Sequence, residues 1–305
     1  MRLLNASGCL DALTAPDAAR SLDAFVTKTV TPLPREGNLP VRIAEIDVGM
    51  LNAIGLANPG IEVFVAEHLP RLAELGVPVW VSVGGFAVDD YVAVSASLEG
   101  RAEVAALELN LSCPNVDEVP ENVGEVVAAV RAVTAKPLYA KLSPAVSDVS
   151  ETARAAETAG ADGLSLVNTI RGLAIDERTL EPVLSRGAGG LSGPALRPIA
   201  LAAVYACRRA TDLPIVGMGG VATGRDALEL LAAGASDVAI GTAFFSDPGA
   251  ATRIRSELAA ELAALGFASP DNVVGAAHGP EAATLDRRSR LEAKKVPAYG
   301  RKHRG

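Results

Sequence analysis

Aromatic side chains are scarce: six Phe, four Tyr and one Trp make up 4% of 305 residues. The core must therefore be mostly Ala, Val and Leu, and the scarcity argues against base-stacking platforms for nucleic acid. Positive charge is also short, with 28 Lys and Arg against 36 Asp and Glu and a net charge of −8. That balance argues against a nucleic-acid partner. Three scattered cysteines, Cys9, Cys113 and Cys207, form no disulfide framework and cannot supply the four thiolates of a usual iron–sulfur cluster. Such cysteine usage suits a reducing cytoplasm. No apolar run is long enough for a membrane span. The opening residues, with one Arg before Asp11, are too short and polar for a secretory signal.

Apolar residues, at 49%, are ample for a sizeable core, and the length suits one large α/β barrel or two ordinary domains. Short apolar, β-rich runs recur at 3–6, 25–29, 79–83, 107–111, 138–142, 164–167, 215–217 and 238–240. Between them lie stretches with helical spacing, among them 123–133, 149–159, 196–210 and 225–233. Strands alternating with helices imply parallel βαβ units. The runs are continuous rather than alternating, as in strands buried on both faces. Ser192-Gly193-Pro194 reads as a helix cap followed by an early proline, and Thr223 with Asp226 as a capping box. Eight runs is the number a (β/α)8 barrel needs, although a doubly wound sheet would also alternate. Nearly every run ends in a polar or glycine residue, and in a barrel those ends converge on the face that carries active sites.

Two segments interrupt the rhythm, 32–60 after the second strand and 169–193 after the sixth. Long insertions in a compact domain are read as lids or binding loops. Residues 1–280 thus read as one barrel domain. Residues 281–305 hold eight Lys and Arg against three acids and read as a basic, disordered tail.

Gly217-Met-Gly219-Gly220-Val-Ala222 fits a dinucleotide fingerprint in form. It lies in the seventh βα unit rather than the first, and the acid required at the end of the next strand is missing. Gly219-Gly220 and Gly241-Thr242, after strands seven and eight, read better as a phosphate cradle of backbone N–H groups, against the plainer reading of tight turns. Asn110-Leu-Ser-Cys113-Pro-Asn115 ends the fourth run. A lone Cys is usually a small buried hydrophobe, but Pro114 and the flanking amides favour a loop. There the thiol could be a base or a nucleophile. His68, His278 and His303 are distant in sequence, so a proton-accepting thiolate fits better than a Cys–His pair. Lys28 and Lys141 end apolar strands, where a rim charge is the ordinary reading. Two on one face beside an anion site favour an anionic ligand or cofactor. Residues 52–56 are unusually apolar for a loop, which suggests that they pack on something bound.

Taken together, NASG at 5–8, VTKTVTPLPREGN at 26–38, GMLNAIGLANPG at 49–60, LELNLSCPN at 107–115, YAKLSP at 139–144, VNTIRGLAID at 167–176, GGLSGPALRPIAL at 189–201, GMGGVATGRDALE at 217–229 and GASDVAIGTA at 234–243 resemble the class 1 dihydroorotate dehydrogenases. These are FMN-dependent barrels that make orotate in pyrimidine biosynthesis. The resemblance spans roughly residues 5–278 and is nearest the 1B subgroup, in which a homodimer of catalytic chains works with an FAD and iron–sulfur subunit as a heterotetramer. It implies that Cys113 is the catalytic base. It implies substrate contacts from Lys28, Asn52, Ala53, Ile54, Gly55, Leu56, Asn110, Asn115, Asn168 and Thr169. It implies FMN contacts from Ser7, Lys28, Thr29, Ser82, Asn110, Lys141, Val167, Gly193, Gly219, Gly220, Gly241 and Thr242, with no metal.

The sequence departs from that family pattern in four places. It begins almost at NASG, without the family's N-terminal hairpin. Ser82 stands where the family usually has an Asn. The segment 116–122 is several residues shorter than the family's lid, which bears on turnover because a lid closes the base over the substrate. The basic tail has no counterpart in the family. Two other readings stand beside this one. A flavin barrel acting on another dihydropyrimidine usually carries His where Asn115 stands and lacks MLNAIGL. A non-catalytic FMN-binding subunit would find support only in the short lid and the absent hairpin.

Overall fold

The computed structural model describes residues 1–111 and 122–279. Cys113, Asn115, most of the short lid segment and the basic tail lie outside the described residues.

Twelve strands are present among these: β1 Leu3–Asn5, β2 Phe25–Val26, β3 Ile43–Ile46, β4 Gly49–Asn52, β5 Val79–Val83, β6 Val104–Asn110, β7 Leu138–Leu142, β8 Gly163–Leu166, β9 Ile170–Gly172, β10 Gly189–Ser192, β11 Ile215–Met218 and β12 Asp237–Ile240. Eight of them form a parallel sheet in the order β1-β12-β11-β8-β7-β6-β5-β2. The sheet closes on itself through a parallel bridge between Leu4 and Ala24 and a hydrogen bond from the Asp23 N–H to the Leu3 carbonyl at 2.9 Å. All eight runs read from the sequence are barrel strands, so the doubly wound alternative is set aside.

Burial on both faces explains the continuous apolar runs. Every residue of β5, β7, β8, β11 and β12 is buried. One alternate set (Leu3, Phe25, Val81, Leu107, Leu138, Ile215, Val238) packs under the surrounding helices. The other (Leu4, Val26, Trp80, Ala106, Tyr139, Val216, Ala239) fills the barrel interior. On β8 the interior position is Gly163, where an added Cβ would lie 2.3 Å from the Tyr139 ring, so the glycine makes room for that ring.

The helices start where the sequence signals them. Asn122 caps Val123–Arg131 by accepting from the Glu125 N–H, and Asp148 caps Val149–Thr158 by accepting from the Ser150 N–H. Thr223 and Asp226 form the capping box of Gly224–Ala233, with bonds of 3.2 and 2.9 Å. Ser192 is not a cap. It ends β10, and the 3-10 turn Pro194–Leu196 starts from Gly193, whose φ is +91°.

The two insertions are not loops alone. Their strands form a second, antiparallel sheet in the order β3-β4-β10-β9. Asn52 pairs with Gly190, Leu51 with Leu191, and Met50 with Ser192. At Gly49 a Cβ would sit 2.0 Å from the Ser192 carbonyl oxygen, so only glycine lets the two insertions approach this closely. Leu51, Ala53 and Leu184 make a small core under this sheet.

Candidate functional site

The parallel strands deliver their C-terminal ends to one mouth, and the small sheet walls one side of it. The resulting cavity is lined by Ser7, Lys28, Thr29, Asn110, Lys141, Val167, Asn168, Thr169, Gly219, Gly220, Gly241 and Thr242 from the barrel side. Asn52, Ile54, Leu56 and Gly193 line it from the insertions. Three residues expected there from the sequence stand back. Ser82 is fully buried behind Thr29, whose hydroxyl it meets at 3.0 Å. Ala53 faces the small core, and a Cβ at Gly55 would collide with the Asn38 side chain, so both support the Asn52–Leu56 segment from outside the cavity.

A chain of hydrogen bonds orders the polar floor. The Asn110 amide donates to the Thr29 hydroxyl at 3.1 Å, and the Asn168 amide donates to the Asn110 side-chain oxygen at 2.9 Å. The Asn168 oxygen in turn accepts from the Thr169 N–H at 3.0 Å. Each amide orientation is thus set by its neighbour. The Tyr91 hydroxyl holds the Asn110 carbonyl from behind at 2.9 Å. Asn52 is fixed by donating to the Gly190 carbonyl at 3.1 Å, and Thr242 by donating to the Ser192 hydroxyl at 2.9 Å.

Two cations reach the cavity. The Lys28 stem crosses Gly8, where a Cβ would lie 2.9 Å from its Cδ. Lys141, with only 7% of its side chain exposed, lies 3.5 Å from the Glu108 carboxylate. Across the mouth, Gly219, with φ +120°, and Gly220, with φ +74°, leave their N–H groups without an acceptor among the described residues, as do Gly241 and Thr242. Unpaired N–H groups from two adjacent strand ends fit an anion such as a phosphate. A Cβ at Gly220 would lie 2.9 Å from the Arg197 nitrogen, so the turn needs glycine on that side as well. No group of three or more His, Cys, Asp or Glu side chains that could hold a metal occurs among the described residues.

Cys9 lines the same cavity and was not singled out by sequence. Burial pushes its thiol pKa up, against the opposing pull of Lys141 and Lys28. Its place directly after Ser7-Gly8 at a strand end was the one signal. Ile43, Met50, Ser192, Leu196, Met218 and Phe245 also line the cavity. They come from five separate stretches of chain and carry no local mark. No helix among the described residues is long and apolar enough to cross a membrane.

Residues 2–262 match the family model described as dihydroorotate dehydrogenase. The chain is 48% identical over 264 residues to the dihydroorotate dehydrogenase B (NAD(+)) catalytic subunit of Desulforudis audaxviator, covering 84% of this chain and 86% of the relative. It is also 48% identical over 262 residues to a putative dihydroorotate dehydrogenase A (fumarate) of Solibacter usitatus, again covering 84% and 86%. Among solved structures, a dihydroorotate dehydrogenase from Eimeria tenella in complex with ferulenol superposes with a TM-score of 0.78 at 23% identity, covering 91% of this chain and 85% of that one. That likeness bears on the barrel fold.

Proposed function

This chain belongs to the dihydroorotate dehydrogenase family, and from that premise we propose how its barrel mouth oxidises dihydroorotate to orotate in pyrimidine biosynthesis. The observation that carries the proposal is the meeting of Lys28, Asn52, Asn110 and Asn168 with Lys141 and the two glycine turns around one cavity.

The cofactor is FMN. When bound, it supplies a two-electron acceptor for the hydride that leaves C6 of the substrate. The free N–H groups at Gly219, Gly220, Gly241 and Thr242 suit its single phosphate, with Gly193 beside them. Ser7, Thr29 and Val167 would border its ring, and Lys141 would put positive charge beside it to favour the reduced form. Lys28 and the amides of Asn52, Asn110, Asn115 and Asn168, with Thr169, hold the substrate ring and carboxylate. Residues 52–56 cover it and keep water out. Cys113 takes the C5 proton as a thiolate while the hydride leaves C6, so two electrons and two protons leave dihydroorotate and the C5–C6 bond becomes double.

The relatives named catalytic subunits imply a partner subunit. We assign it the 1B composition, FAD with an iron–sulfur cluster, docked on a homodimer of this chain in the cytoplasm. Three cysteines in the whole sequence cannot hold such a cluster, so NAD reduction needs a second polypeptide. Two experiments test this reading. Flavin released from the purified chain, identified by chromatography and mass, should be FMN at about one per chain. With dihydroorotate, the isolated chain should reduce dyes but not NAD. FAD in place of FMN, or rapid NAD reduction by the pure chain, contradicts it.

A further inference from the structure

Above the Trp80 and Tyr139 rings, the interior of the barrel turns polar along consecutive strands. Following each strand two residues further along its inner face leads to Ser82 on β5, Glu108 on β6, Lys141 on β7 and Ser165 on β8. These four strands are consecutive in the barrel. The polar side continues into Lys28 just after β2, and on the remaining three strands the matching positions are Ala6, Met218 and Gly241, which carry no charge. Glu108 is 1% exposed and meets Lys141 at 3.5 Å. Ser165, the register partner of Lys141, is fully buried with its hydroxyl unpartnered among the described residues.

Folding alone does not call for this arrangement. A buried ion pair gives weak support to stability, because desolvation offsets its attraction, and apolar residues of similar volume are often neutral or better there. The three strands that carry Ala6, Met218 and Gly241 at this level show that the interior accepts uncharged residues there. Lys141 lines the cavity, whereas Glu108 does not, so Glu108 can act on a bound molecule only through Lys141.

We propose that Glu108 is a positioning residue that holds Lys141 at the flavin and, as its counter-charge, sets how strongly that cation favours the reduced ring. This inference rests on the flavin site described above. A cation beside the ring stabilises the negative charge gained on reduction. A carboxylate behind the cation cancels part of that effect, so it holds the flavin potential below what Lys141 alone would give.

The test is the two-electron reduction potential of the flavin-loaded chain, measured by equilibration with a reference dye in wild type and Glu108→Gln. Glutamine keeps the length and a polar contact to Lys141 but removes the charge. The ratio of reduced to oxidised flavin at a fixed ambient potential should rise about tenfold, which is about 30 mV for a two-electron couple. Flavin bound at wild-type stoichiometry with that ratio changed less than about threefold, or lowered, would leave Glu108 a structural residue and overturn the proposal. If Glu108→Gln holds no flavin, Glu108→Asp takes its place, since it keeps the charge but draws it away from Lys141. A smaller rise then supports the proposal and no rise overturns it. Bleaching of the wild-type flavin by dihydroorotate is recorded first. A failure there counts against the functional reading itself, not against the role of Glu108 within it.

Discussion

At the N-terminal end of the barrel Arg2 meets Asp237 at 2.7 Å, while near the C-terminal end Lys141 meets Glu108 at 3.5 Å. Both pairs bridge neighbouring elements of one barrel, yet they are furnished differently. The Arg2 backbone N–H and guanidinium both donate to Asp237, the guanidinium also donates to the Tyr139 hydroxyl, and it lies over the Trp80 ring at 5.0 Å. Trp80 and Tyr139 pack with centroids 4.4 Å apart and close the floor. At the upper end Lys141 reaches a cavity bordered by glycine turns, Lys28 and ordered amides. The lower pair completes a packed wall, and the upper pair leaves its cation at the cavity. The lower end should therefore govern stability and the upper end rate.

The largest effect expected is at the upper end. Cys113→Ala should keep FMN and still bind orotate, but lose turnover by roughly two to four orders of magnitude, the usual worth of a positioned base. Stopped-flow bleaching normalised to bound FMN reads this directly. A rate within about threefold of wild type would make Cys113 a packing residue. Cys113→Ser should retain some activity that needs higher pH, because a hydroxyl is a far weaker acid than a thiol.

The converse holds at the floor. Asp237→Asn removes the charge that both the Arg2 backbone and its guanidinium use. It should lower stability by about 1–3 kcal/mol while leaving the rate per bound flavin unchanged. Thermal melting together with single-turnover rates checks both halves, and a slowed rate with an unchanged melting temperature would break the contrast. A smaller effect is expected at the helix after β11. Thr223→Ala removes the cap of Gly224–Ala233 and should cost ~1 kcal/mol, seen as a lower melting temperature with no change in rate.

The smallest effect is one of labelling. Burial raises the pKa of the Cys9 thiol, and only the thiolate alkylates. Iodoacetamide should therefore modify Cys9 slowly through neutral pH, with the rate rising only above the usual thiol range, as followed by peptide mass mapping. Rapid labelling at pH 7 would show that Cys9 is more open than its place in the cavity wall implies.

The barrel was legible in the sequence because its strands are buried almost throughout and so read as mostly apolar runs rather than alternating ones. The second sheet was not. Its strands are three or four residues long, and Met50 finds its partner at Ser192, far along the chain. Gly189-Gly190 carries no strand signal, and Ser192 before Gly-Pro imitates a helix cap. The polar and glycine ends of the strands marked most of the cavity, since polar groups at the end of a buried run need partners. Ser82 was assigned to the cavity by the resemblance, at a position where the family usually has Asn, but its side chain turns to Thr29. Cys9 and the apolar walls went unmarked because a cavity wall is assembled from distant segments. Glu108 sits inside an apolar run, where a single acid stands out only once its neighbour across the sheet is known.

The proposed chemistry at the barrel mouth is the removal of a hydride and a proton from dihydroorotate. Its most direct test is a single anaerobic turnover of the isolated, FMN-loaded chain with excess dihydroorotate, followed at once by flavin absorbance and by orotate formed. Full bleaching with one orotate per flavin is the predicted result. A flavin that stays oxidised in the presence of bound dihydroorotate would contradict the account.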